Sequence, residues 1–159
     1  MARPTKYATL ICFICTLLAA LGILVGVLTR NAVYTIFALL PAVGYEAYRT
    51  EGVSTRFASW AILLVFLAEL VLILFKIDID LTKFLGSERY VRGYYVPVGD
   101  IKVVGSALMV VLSVILFTRT AGVYTKWLSV IIAVTSLAII YILSPQLLGD
   151  ILRRGTDQL

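Results

Sequence analysis

The chain has no histidine. That removes imidazole-held haem, histidine metal sites and the commonest general base. Charge is scarce as well. Only 14% of the 159 residues are Asp, Glu, Lys or Arg, where an ordinary soluble domain has about a quarter. Cysteine is limited to two residues, Cys12 and Cys15. A zinc or iron–sulfur site would need two further ligands, and a disulfide relay would need a second pair. Amide side chains are few, with one Asn and two Gln.

What fills the space is hydrocarbon: 61% of the chain is hydrophobic. Five apolar runs stand out, over residues 7–28, 32–48, 57–75, 101–117 and 127–143. Most approach the roughly 17–25 residues that cross a bilayer. The expected fold is an all-α integral membrane protein, a bundle of about five transmembrane helices forming one polytopic domain. In a variant of this reading the second run, broken by Pro41 and Gly44 and ending at Glu46, is re-entrant. Arg3 and Lys6 resemble the start of a signal peptide. The first run is too long for one and continues past Ala19 and Ala20, so a retained span is expected. The tail 144–159 offers Ser144 as a cap and Pro145 at a first helical position. Leu147, Leu148, Ile151 and Leu152 then share one face, which suits a short interfacial helix. Nothing leaves room for a soluble catalytic domain.

The net charge is +5, but the bases lie between apolar runs, where they set topology and meet anionic headgroups. No basic patch forms on a soluble face, so nucleic acid is not an expected partner. For five spans, six Lys or Arg lie on the N-terminal side and eight on the other. The positive-inside rule then puts the loop 76–102 and the C-terminus in the cytoplasm of a multi-pass cell-membrane protein, by a margin of two charges.

Cys12 and Cys15 form a C-x-x-C, but their neighbours suggest size rather than redox chemistry. Ala8, Cys12, Cys15, Ala19, Gly22 and Gly26 follow one another at alternating steps of four and three. The resulting stripe of small residues lets another helix come close. Gly99, Ser106, Ser113 and Thr120, recurring every seven residues along the fourth run and its ends, and Ser129, Ala133 and Ser136 on the fifth, form weaker versions.

Glu69 interrupts "LVFLAELVLILF", residues 64–75. It lies about six residues from the end of its run, roughly 9 Å deep by the helical rise. Placing an ionised group near a helix centre costs on the order of 3 kcal/mol on insertion scales. No Lys or Arg reaches that depth in the other runs, so its partners should be hydroxyls. Antiparallel neighbours nominate Thr35, Ser106 and Ser113. Parallel neighbours nominate Thr16, Thr135 and Ser136. Glu69 is then either a buried polar contact between helices or an ion or proton site. Glu46 is expected to pair with Arg49, one turn on.

The loop 76–102 is the segment large enough for recognition. Arg89, Tyr90, Arg92, Tyr94 and Tyr95 suit headgroup or partner contact, and "RYVRGYYVPV" suits a short strand or hairpin stopped by Pro97. Asp78, Asp80 and Asp100 would serve a metal-dependent lipid-modifying enzyme. That reading ranks last, for want of a base or nucleophile, and no cofactor or metal site is expected. The leading expectation is a small non-catalytic subunit of a larger membrane complex (respiratory, ion-translocating or enzymatic), with the first helix and the long loop meeting its partners. The alternative is a homo-oligomeric proton or cation transporter that uses Glu69.

Overall fold

The computed structural model describes residues 7–50, 53–77, 90–91, 94–95 and 101–145. Among them are five helices: α1 (Ala8–Thr29), α2 (Ala32–Arg49), α3 (Val53–Leu74), α4 (Ile101–Arg119) and α5 (Val123–Leu143). Four are long and apolar enough to cross a membrane: Ala8–Thr29, Thr55–Leu74, Ile101–Arg119 and Val123–Leu143. α2 is a continuous helix of 18 residues with Pro41 inside it. It is the most polar of the five in composition. Two short strands, β1 (Tyr90–Val91) and β2 (Tyr94–Tyr95), pair antiparallel with Tyr90 opposite Tyr95 and Val91 opposite Tyr94. Two residues separate them, the length of the tightest hairpins. The tail helix expected beyond Pro145 lies outside the described residues.

α1 and α2 are joined by a turn that the local chemistry specifies. Arg30 adopts a left-handed conformation at φ 50° and closes α1, its N–H reaching the Val27 carbonyl at 3.3 Å. The Asn31 N–H returns to the Gly26 carbonyl at 3.0 Å. Asn31 then caps α2, its side chain accepting from the Val33 N–H at 3.0 Å. This is the preferred Ncap chemistry, and it satisfies one of the N–H groups a helix start leaves open. α3 ends in a similar way. Lys76 is left-handed at φ 52°, and the Ile77 N–H bonds the Leu72 carbonyl at 3.0 Å.

Packing places α2 among α1, α3 and α5. α4 joins α3 to α5, and α5 also touches α1. The face of α2 turned inward carries Ala32, Thr35, Ile36, Leu39, Ala42, Val43, Glu46 and Arg49. Its most polar groups are thereby covered by neighbouring helices. The small stripe on α1, Ala8 through Gly26, is buried within the chain. A Cβ added at Gly22 would overlap the Ala38 Cβ, and one at Gly26 would overlap the Thr35 Oγ1. The two backbones are close because neither glycine has a side chain. Thr35 uses that proximity to donate to the Gly22 carbonyl at 3.0 Å. The stripe is therefore used inside the chain. A partner meeting α1 would meet Leu10, Phe13, Leu17, Leu21 and Leu24 on its other side, all exposed.

Two hydrogen bonds tie α1 to α5. The Trp127 Nε1–H donates to Thr16 Oγ1 at 3.1 Å, and Thr9 and Tyr124 share a hydroxyl contact at 2.8 Å. The helices outrun the apolar runs at several ends. α3 begins at Val53 and α5 at Val123, each four residues ahead of its run. The Ser, Thr, Tyr, Arg and Lys residues at these starts are compatible with helix, so hydropathy alone does not mark them.

The α1–α2 contact can be tested with alanine. Gly22→Ala should destabilise by about 1–3 kcal/mol through overpacking. Gly44 on α2 has open space around it. Gly44→Ala should be neutral or stabilise by about 0.5–1 kcal/mol through helix propensity. Unfolding titrations in mixed micelles would measure both. Equal losses at the two positions would contradict the close approach.

Candidate functional site

Glu69 is 1% exposed and Ser106 is fully buried. The Ser106 Oγ–H donates to Glu69 Oε1 across the α3–α4 interface. Of the six hydroxyls nominated by depth, Ser106 makes this contact. Thr35 is engaged with Gly22. Thr16 donates to the Cys12 carbonyl at 2.7 Å, and Thr135 to the Ile131 carbonyl at 2.7 Å. Ser113 and Ser136 are buried with no hydrogen-bond partner in the protein for their hydroxyls, and Glu69 Oε2 is likewise without one. Gly105 borders the carboxyl, but a Cβ there would lie 3.6 Å from Glu69 Cδ and Oε2. That is ordinary contact, so room for Glu69 is not what requires a glycine.

A second polar cluster, foreseen only as a helix-end ion pair, lies toward the opposite end of the bundle. Glu46 is 1% exposed, and its Oε1 accepts from Thr50 at 2.7 Å. Thr50 also donates to the Glu46 carbonyl at 3.0 Å. Arg49, also buried, does not take the direct pairing with Glu46 expected from their spacing. Its Nη1–H donates to the Tyr45 hydroxyl at 3.4 Å, and its guanidinium carbon lies 4.6 Å from the centre of the Tyr124 ring. Stacking of this kind is favourable for a weakly hydrated guanidinium. It holds the charge at the start of α5. The i, i+3 spacing of Glu46 and Arg49 permits a pair, but a ring from another helix wins one face of the cation. Sequence spacing within α2 carries no trace of that ring.

Cys12 and Cys15 are buried as free thiols on α1. They belong to the same buried face as Ala19, Gly22 and Gly26, and the two glycines on that face make the close contact with α2. Among the described residues, no three His, Cys, Asp or Glu gather where they could hold a metal. Asp78, Asp80 and Asp100 lie outside the described residues, as do Arg89 and Arg92. Tyr90, Tyr94 and Tyr95 lie on the hairpin strands.

The α3–α4 contact predicts an asymmetry between two substitutions. Glu69→Gln keeps the shape and a group able to accept from Ser106, so stability should change by less than about 1 kcal/mol. Ser106→Val removes that partner from a fully buried carboxyl and should cost about 1–3 kcal/mol. Chemical unfolding in detergent, with helicity as the readout, would show whether the order holds. Compared with models of known families, with characterised proteins and with solved structures, the chain matched none.

Proposed function

We propose that the chain is a multi-pass integral protein of the cell membrane, and that it serves there as a small non-catalytic subunit of a larger assembly. The assembly would be of the respiratory, ion-translocating or membrane-enzyme kind. The bilayer and neighbouring subunits would be its partners, and nucleic acid would not. Support for the membrane comes from the outward faces. Leu17, Leu24, Phe57, Leu64, Val111 and Val130 are among many large apolar residues exposed around the bundle. Soluble monomers rarely expose apolar patches larger than a few hundred Å².

The observation that carries the subunit reading is how Glu69 is held. An acid at this depth is a functional candidate by default. Here it is covered on all sides and bonded to Ser106 of the adjacent helix. An acid so placed ties two helices together. Glu46 lies on another helix, toward the far end of the bundle, and is engaged with Thr50. Two acids held in separate local contacts make a poor relay, since proton routes string several titratable groups along one path.

A second reading has one observation in its favour. Glu69 Oε2 has no hydrogen-bond partner in the protein, which leaves an acceptor for a proton or a cation. In that reading the chain self-associates into a transporter or channel.

Native mass spectrometry distinguishes the two. The tagged full chain, extracted from its own membrane in mild detergent, should carry defined additional chains. A closed homo-oligomer alone would overturn the subunit reading. In that case the Glu69→Gln variant should lose proton or cation flux in liposomes while remaining folded.

A further inference from the structure

Three buried polar atoms belong to side chains that gather where α2 meets α3. Glu46 Oε2, Arg49 Nε and Ser59 Oγ are each buried, and none has a hydrogen-bond partner in the protein. Glu46 and Ser59 are 1% exposed and Arg49 is 6% exposed. The Ser59 hydroxyl lies beside the Glu46 carboxyl, and Arg49 is within electrostatic reach of it. Cys12 of α1 lies within reach of both charges, and Tyr124 of α5 covers one face of the guanidinium. Helices α1, α2, α3 and α5 therefore converge on a junction that contains one acid and one base not in direct contact.

Leaving three such atoms unmet is costly. An unsatisfied buried polar group forfeits its full desolvation penalty, and a charged one forfeits more. Buried water commonly resolves this, making about three hydrogen bonds to groups the protein leaves open. The three atoms here match its bonding capacity. A water among them would accept from the Arg49 Nε–H and donate one proton to Glu46 Oε2. Ser59 Oγ would take the other proton or donate its own. The match holds whether the Glu46 carboxyl is ionised or neutral, because water both donates and accepts.

We propose that this junction is a binding site for an internal water that bridges Glu46 and Arg49 and is completed by Ser59. The pair is then a water-mediated ion pair, locked between helices. The inference rests on the packing of the described residues and is independent of the subunit reading above.

The test is an experimental structure of the full chain, in its assembly if it has one, at a resolution that shows ordered solvent. The expected result is a density peak within hydrogen-bond distance, about 2.7–3.2 Å, of both Glu46 Oε2 and Arg49 Nε. A dry junction would overturn the proposal. So would a direct Glu46–Arg49 contact, or a peak with the short ligand distances of a metal ion. An independent readout is infrared difference spectroscopy after exchange into oxygen-18 water. The wild type should show an isotope-shifted band from a bound water. The double variant Glu46→Leu/Arg49→Leu should lack it, and apolar replacement of both members of a buried pair is commonly tolerated. Ser59→Ala, which leaves two of the three partners, should keep the band. A band of equal strength in the wild type and the double variant would count against the site.

Discussion

The seating of α2 among its neighbours depends on how closely α1 and α2 approach. In the membrane placement proposed above there is little hydrophobic drive between helices, because lipid tails are as apolar as leucine. Association there rests on dispersion at short range and on polar contacts that lipid cannot supply. Gly22 and Gly26 provide the short range, and Thr35 turns it into a hydrogen bond to a backbone carbonyl. Once α2 is seated against α1, its inner face determines what the other helices meet. α3 brings Ser59 to Glu46, and α5 brings Tyr124 over Arg49.

That arrangement explains how the most polar helix can be the most enclosed. α2 contacts α1, α3 and α5, and its acid and base point into those contacts. Exposed to lipid, either group would carry a penalty of several kcal/mol. Between helices, each finds at least one hydroxyl or ring. α3 solves the same problem with Glu69 by a single hydroxyl from α4. The two solutions differ in richness. The α2 end gathers side chains from four helices, whereas the Glu69 contact joins two.

Among the described residues, the five helices and their order were legible in the sequence, because each long apolar run ends at charged or turn-forming residues. The break at residues 29–31 was legible too, and Asn31 serves as the cap that its type favours. The small stripe on α1 was readable as a contact surface from its spacing alone. Its partner was not, since spacing shows that a helix can be approached and is silent on which helix approaches. The same limit applied to Glu69. Depth reduced its partners to six hydroxyls, and three-dimensional packing selected Ser106. The Glu46 junction was hardest to see. Its members come from four helices, and within α2 the pattern reads as a simple pair one turn apart.

The division between inner and outer residues has a consequence for how such a chain changes over generations. Its α1 seam is held by volume: small residues line it, and at Gly22 and Gly26 a single added methyl would obstruct a neighbour. Its outward positions are mostly Leu, Ile, Val and Phe, and in the proposed membrane placement lipid distinguishes poorly among these. Where no partner subunit covers them, exchange within that set is nearly free, so that part of the outer coat can drift while the inner seam stays fixed. Two descendants of this chain could keep one architecture and share little sequence, with their likeness concentrated in the smallest side chains.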